Sequence, residues 1–194
     1  MATMADVRGR VRLRLEEASA AVWADDELDE AITSALELYN ERFPLEATAQ
    51  AAVAENGTNV AMPVNARSVV RVTLADGAVL PKRAAPVERT ADERQAWETF
   101  AGTIWFTRPL PAQTLTLWHL TRHAVGDVPE ADIGLLVLGG VWKALEQRSV
   151  QELKRSGPVA GTASAFVVRR AREEFERAFG QRQRRVRTMM VARE

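Results

Sequence analysis

The spacing of apolar residues changes twice along the chain, and the changes divide it into three stretches. Between residues 5 and 46 apolar positions return every three or four residues, the period of an amphipathic helix. Val7, Val11, Leu15 and Ala18 form one stripe, with Arg8, Arg10, Arg12 and Arg14 between them. Leu28, Ile32, Ala35, Leu36 and Tyr39 form a second stripe. It ends near Phe43-Pro44, because proline disfavours helix in the residue before it. The two helices are expected to pair antiparallel.

From 56 to 122 the period falls to two. Ser68–Leu74 and Ala78–Leu80 flank Asp76-Gly77, which predicts a hairpin. Gly102–Thr107 and Gln113–Trp118 predict two more strands, joined through Arg108-Pro109-Leu110-Pro111; Leu115 and Leu117 alternate with Thr114 and Thr116 as a half-buried strand should. Residues 84 to 98 are polar and charged, and read as a loop or as a short helix ending near Trp97. From 130 the helical period returns. Ile133, Leu136, Val137, Val141, Trp142 and Leu145 cover most of a helix circumference, so this helix is expected to pack on more than one side and to stop near Ser156-Gly157-Pro158. Val168, Ala171, Phe175, Ala178 and Phe179 mark a last amphipathic helix.

The fold class that follows is mainly α with a β insertion (α+β): a bundle of about four helices with a small antiparallel β region between the second and third. We expect one domain over 1–194, helical over 1–46 and 130–180, with the β insertion at 56–122 and a basic tail at 181–194.

Composition narrows the chemistry. Apolar residues at 46% and charged residues at 27% suit a folded globular chain of 194 residues. A formal net charge of zero gives no global attraction to nucleic acid or membrane. The absence of cysteine removes disulfides, thiolate catalysis and sulfur-ligated metals. The N-terminal residues carry no continuous apolar region and the longest apolar run, near Leu135–Val141, is too short to span a bilayer, so a cytoplasmic product is expected. Asn56-Gly57-Thr58 matches a glycosylation sequon but reads as a turn.

Candidate sites are few. Gly134–Lys143 has the glycines of a phosphate loop without the Gly-Lys-Ser/Thr that would follow, and reads as small residues allowing close helix packing. His119 and His123 lie four apart, which along a strand separates them by about 13 Å, so surface or sheet-face histidines are expected rather than ligands. Gly161-Thr162-Ala163-Ser164 follows no strand, so Thr162 or Ser164 is expected to cap the last helix. The acidic run Asp25, Asp26, Glu27, Asp29, Glu30 reads as a helix start: Asp25 at the N-cap, Asp26, Glu27 and Asp29 meeting the positive end of the helix dipole, and Trp23 stapling onto Leu28 or the apolar stem of Glu30. No catalytic residue, metal or cofactor is expected.

Charge is uneven along the chain. Residues 25–46 carry eight acidic side chains against Arg42, whereas residues 164–194 carry nine arginines against four glutamates. Such a chain either associates head-to-tail through unlike surfaces or neutralises the two segments within one monomer. The stretch Gln181–Val191 mixes arginines with Met189, Met190 and Val191. It suits a tail that docks in a protein groove, a frayed solvated end, or a nonspecific phosphate binder; the last would make the protein a nucleic-acid-binding accessory protein.

The order of an arginine-rich first helix, Trp23-Ala-Asp-Asp-Glu-Leu-Asp-Glu-Ala-Ile32, the strands around Val69-Val70-Arg71-Val72 and Asp76-Gly77, Ile104-Trp105-Phe106-Thr107-Arg108-Pro109-Leu110, and two C-terminal helices with a basic tail resembles the head-to-tail adaptor (connector) proteins of tailed bacteriophages. The resemblance implies a structural protein of the virion neck, made in the host cytoplasm, with no enzymatic activity. It implies a homo-oligomeric ring, typically of about twelve subunits, that docks on the portal protein after packaging and receives a downstream neck, stopper or tail protein. Genomic DNA would pass through its channel without sequence-specific binding, and no membrane is involved. On that resemblance Arg182, Arg184, Arg185, Arg187, Met189, Met190 and Val191 would form the portal-binding tail, and Asp26, Glu27, Asp29 and Glu30 the candidate contacts to a neighbouring subunit.

Overall fold

A computed structural model of the chain describes residues 1–16, 22–83, 95–156 and 161–191, the side chains at 156, 161–164 and 184–191 excepted. The helices are α1 (Met4–Arg14), α2 (Asp25–Arg42), α3 (Ile133–Ser156) and α4 (Gly161–Val191). Seven strands lie between α2 and α3: β1 (Leu45–Val53), β2 (Gly57–Ala61), β3 (Ser68–Thr73), β4 (Val79–Leu80), β5 (Trp97–Phe100), β6 (Thr103–Leu110) and β7 (Gln113–Thr121). The fold is α+β, as the periodicity predicts. The chain divides into two compact units, residues 1–43 with 123–194, and residues 44–122.

In the helical unit α1 starts at a reciprocal capping box: the Thr3 hydroxyl accepts the Asp6 amide and the Asp6 carboxylate accepts the Thr3 amide. Val7 and Val11 are fully buried beneath it. Arg8 and Arg12 of α1 reach Asp29 and Asp25 of α2 in reverse order, so the two helices run antiparallel. Helix α3 packs on α1, α2 and α4. Its Gly139 and Gly140 allow this: a Cβ on Gly139 would lie 2.7 Å from the Ala35 Cβ and 3.1 Å from the Phe175 ring, and one on Gly140 would lie 3.1 Å from both Ile32 and Val11. Phe175, Phe179 and Phe43 then stack in sequence, with centroids 5.2 Å apart at each step. Helix α3 ends at Ser156, the terminator that the sequence marks.

Several expectations are corrected. Helix α2 ends at Arg42, just before Phe43-Pro44 as the proline predicts, but the helical stretch does not reach residue 46: Leu45–Val53 is a strand where none is predicted. Its inward residues include Ala47, Ala49 and Ala51, which alternate with Thr48 and Gln50; alanine favours helix over strand, so the composition masks the strand. The β region is two sheets rather than one, ordered β1-β7-β3-β4 and β2-β6-β5. Consecutive strands β6 and β7 fall in different sheets, and Leu110 lies within β6 rather than in the connection. Trp97 opens strand β5 and is fully buried, its indole N–H donating to the Leu80 carbonyl at 3.0 Å; residues 84–94 lie outside the described residues. The β3–β4 hairpin stands as predicted, with Val72 opposite Leu80, Gly77 at φ 88° and Asp76 accepting the Ala78 amide. Val69, Val72, Trp97, Ile104, Phe106, Leu115 and Leu117 form the core between the sheets.

His119 is a sheet-face histidine, as one of the two expected alternatives has it, and is buried; His123 is buried beyond the end of β7 and is neither on the surface nor on a sheet face. His119 points with Leu115 and Leu117 to the inner face of β7. His123 holds the point where the chain re-enters the helical unit: its amide donates to the Asn40 Oδ1 at 2.7 Å, the Asn40 amide donates to its carbonyl, and its ring nitrogens lie 3.0 Å from the Phe43 carbonyl and 3.2 Å from that of Asp127. Helix α4 starts at Gly161, ahead of Thr162 and Ser164, so neither is the residue before the helix; their side chains lie outside the described residues.

The glycine packing gives a paired prediction. Gly139→Ala should destabilise the chain by about 1–3 kcal/mol through overpacking, although alanine is the better helix former by about 1 kcal/mol. Gly134→Ala, with nothing within 4 Å of its Cβ, should be neutral or stabilising. Urea unfolding of both variants checks the contrast.

Candidate assembly interface

The acidic start of α2 is organised by charge pairing more than by capping. The N-cap is Ala24, and Asp25 is the first helical residue. Glu27 supplies the cap contact by accepting the Ala24 amide at 3.0 Å. Asp25 instead lies 2.6 Å from Arg12 and 3.1 Å from Arg8, while Asp29 shares the same Arg8 at 3.1 Å. The hydrogen bond from Arg12, reinforced by the nearby Arg8 charge, holds the Asp25 carboxyl below the usual range. Trp23 joins the cluster that contains Leu28, in the position a hydrophobic staple requires, and Arg148 lies over its ring at 5.3 Å. Among the described residues the acidic segment is thus partly neutralised within the chain by Arg8 and Arg12 of α1.

Of the four candidate subunit contacts, Glu27 and Asp29 are half-buried with partners in the chain, whereas Asp26 and Glu30 are exposed. Asp26 and Glu30 continue along α2 as an exposed acidic ridge with Glu37 and Glu41. The sequence reading missed the last two as surface members, although their spacing of seven and four residues places them there.

The other end of α2 carries a buried polar cluster. The Tyr39 hydroxyl donates to Asp132 Oδ2 at 2.7 Å, and Arg182 Nε lies 2.8 Å from Asp132 Oδ1 and 3.0 Å from Oδ2. The Asp132 side chain is 3% exposed and that of Arg182 29%. Arg182 also lies 5.9 Å over the Phe43 ring. Burial, and then the hydrogen bond and charge of Asp132, push the Tyr39 hydroxyl well above its ordinary range. Asp132 and Tyr39 were not legible as a site. A lone aspartate before an apolar run reads as a helix start, and Tyr39 reads as one more member of the α2 stripe.

Arg182 therefore faces inward, tying α4 to the start of α3. Beyond it α4 continues as one helix to Val191, where the sequence suggests a tail from residue 181. The backbone of Arg184, Arg185, Arg187, Met189, Met190 and Val191 belongs to this helix, and their side chains lie outside the described residues. Among the described residues no cluster of three or more metal-ligating side chains occurs, and no helix is long and apolar enough to cross a membrane.

The family model of the SU10 adaptor protein matches residues 2–193. The chain belongs to that family. No curated protein matches it. Membership makes the adaptor a phage structural protein, the broad class that the resemblance implies.

Two predictions follow from the buried cluster. Asp132→Ala in the adaptor leaves Arg182 without its partner and should cost about 3–5 kcal/mol in urea unfolding; Tyr39→Phe, which removes a hydrogen bond to a buried carboxylate, should cost about 1.5–3 kcal/mol. The fold favours protonated Tyr39, so its contribution is complete below about pH 10 and is lost as pH rises through the raised folded value. Tyr39→Phe should flatten the decline in stability above about pH 10, measured by thermal unfolding across alkaline pH.

Proposed function

We propose that the adaptor assembles as a ring of about twelve subunits at the phage neck, docks on the portal after packaging, and presents its other side to a downstream neck, stopper or tail component. The observation that carries this reading is the anchored α4. The helix is fixed at Arg182 and then runs nine residues further, to Val191, a reach of about 13 Å. Arg184, Arg185 and Arg187 with Met189, Met190 and Val191 supply charge for recognition and adaptable apolar contact for a groove. In this reading Arg182 anchors the helix and the portal contact begins at Arg184.

Ring formation needs two unlike surfaces on one chain. The exposed part of the acidic helix, Asp26 and Glu30, provides one of them. Glu27 and Asp29 support it from within, by capping α2 and by holding Arg8. A neutral chain also suits a channel through which DNA slides, because a basic lumen would retain phosphates. No bond chemistry is required of such a protein.

A chain ending at Gln183 separates fold from docking. It keeps the Asp132–Arg182 pair, so its circular dichroism and melting temperature should match those of the full chain. Its recovery in a pull-down with the portal of the same phage should be lost. Undiminished recovery would remove the portal assignment of residues 184–191.

A further inference from the structure

Four acidic residues, Asp26, Glu30, Glu37 and Glu41, lie exposed on α2 opposite the face that carries Leu28, Ile32, Ala35 and Tyr39. Among the described residues none has an ion-pair partner, in contrast to Asp25 and Asp29. Helix α4 has the opposite remainder. Its Arg169 and Arg172 pair with Glu173 and Glu176, Arg182 pairs with Asp132, and Glu174 pairs with Arg14. Arg170 and Arg177 are exposed, with no partner among the described residues. They lie on the side of α4 away from Phe175, in line with Phe166, which is 58% exposed.

The two ridges match in spacing as well as sign. Glu30 and Glu37 are seven residues apart, as are Arg170 and Arg177, which is two helical turns and about 10.5 Å in each case. Between the two acids α2 carries Thr33 and Ser34, uncharged; between the two arginines α4 carries Glu173 and Glu174, each already paired. Laid against each other in either direction, the helices bring both arginines onto both glutamates and set Glu173 and Glu174 opposite Thr33 and Ser34. No like charges meet.

We infer that the α2 ridge of one copy, Glu30 and Glu37 with Asp26 and Glu41 flanking, docks on the Arg170–Arg177 ridge of the next copy. The occupant is a second copy of this chain, because the complementary charges at the same interval occur on the same molecule and each is left over by internal pairing. The contact is heterologous: each copy that uses its α2 ridge keeps its α4 ridge free, so association propagates from copy to copy, the kind of contact from which a ring is built. This assignment rests on the ring reading above and gives it a specific interface.

Charge exchange tests it. Glu30→Arg with Glu37→Arg, and separately Arg170→Glu with Arg177→Glu, alter exposed helix positions, and circular dichroism should show both folded. The Gln versions at the same positions remove the charge without reversing it. Assembly is measured by mass photometry and electron microscopy, for the chain alone and mixed with the portal of the same phage. Either reversal should weaken assembly by about a hundredfold, the Gln versions less. A chain carrying all four reversals should assemble again. Raising salt from about 0.1 M to about 1 M shortens screening from about 10 Å to about 3 Å and should weaken wild-type rings. The chain has no cysteine, so a cysteine at Glu37 together with one at Arg170 or Arg177 should give a disulfide ladder of dimers, trimers and higher species. Reversed variants that assemble like wild type would overturn this interface and leave the ring reading standing. A wild-type chain that stays monomeric both alone and with portal would overturn both.

Discussion

Helix α3 has neighbours on three sides, and the chain meets that demand by omitting side chains where they would crowd. Ala35 and Phe175 close on Gly139 while Ile32 and Val11 close on Gly140, so α1, α2 and α4 all approach the same turn. The remaining packing of the helical unit follows from that close approach. The Phe175–Phe179–Phe43 series extends it toward the C-terminal end of α2, where the apolar contact gives way to the Tyr39–Asp132–Arg182 cluster. A buried carboxylate is costly unless it is paired and hydrogen-bonded. Asp132 has both a hydroxyl and a guanidinium, and the cluster therefore fixes the register of α4 as well as its proximity.

The insertion depends on a second device, the hydrogen bonds that join its two ends. Phe43 and Asn40 on the outgoing side meet His123 on the returning side, and two residues in from Phe43 and His123 the pair Leu45 and Thr121 opens the β1–β7 ladder. Closing a long loop costs entropy that grows only slowly with its length. An insertion held at both ends can therefore vary in size with little consequence for the helices that carry it.

The helices were legible because their apolar stripes are long and bounded by strong signals, Phe43-Pro44 at one end and Ser156-Gly157-Pro158 at another. Strand β1 was not: Leu45, Ala47, Ala49 and Ala51 alternate with Glu46, Thr48 and Gln50, but alanine is a strong helix former and a weak strand former, so the segment reads as a continuation of the helical stretch. The division into two sheets was equally hidden: β6 and β7 are adjacent in sequence and separated by a turn-like Pro-Ala, and nothing in their composition says that they pair with different partners. Among the site residues, periodicity located the acidic face of α2 but could not tell Asp29, which faces Arg8, from Glu30, which faces outward. That distinction depends on where α1 lies. Arg182 misled for the same reason, because a basic residue near a chain end gives no sign of a carboxylate fifty positions earlier.

The anchoring of α4 also has a mechanical side. A docking segment joined to its body through a loose linker can be pulled without disturbing anything behind it. The segment from Arg184 to Val191, proposed above to dock, continues a helix whose preceding turn is bonded to Asp132, and Asp132 is bonded to Tyr39 in the last turn of α2. Tension applied at the end of α4 is passed through a stiff rod into the core of the subunit, with a charged hydrogen-bonded joint as the first element to bear it.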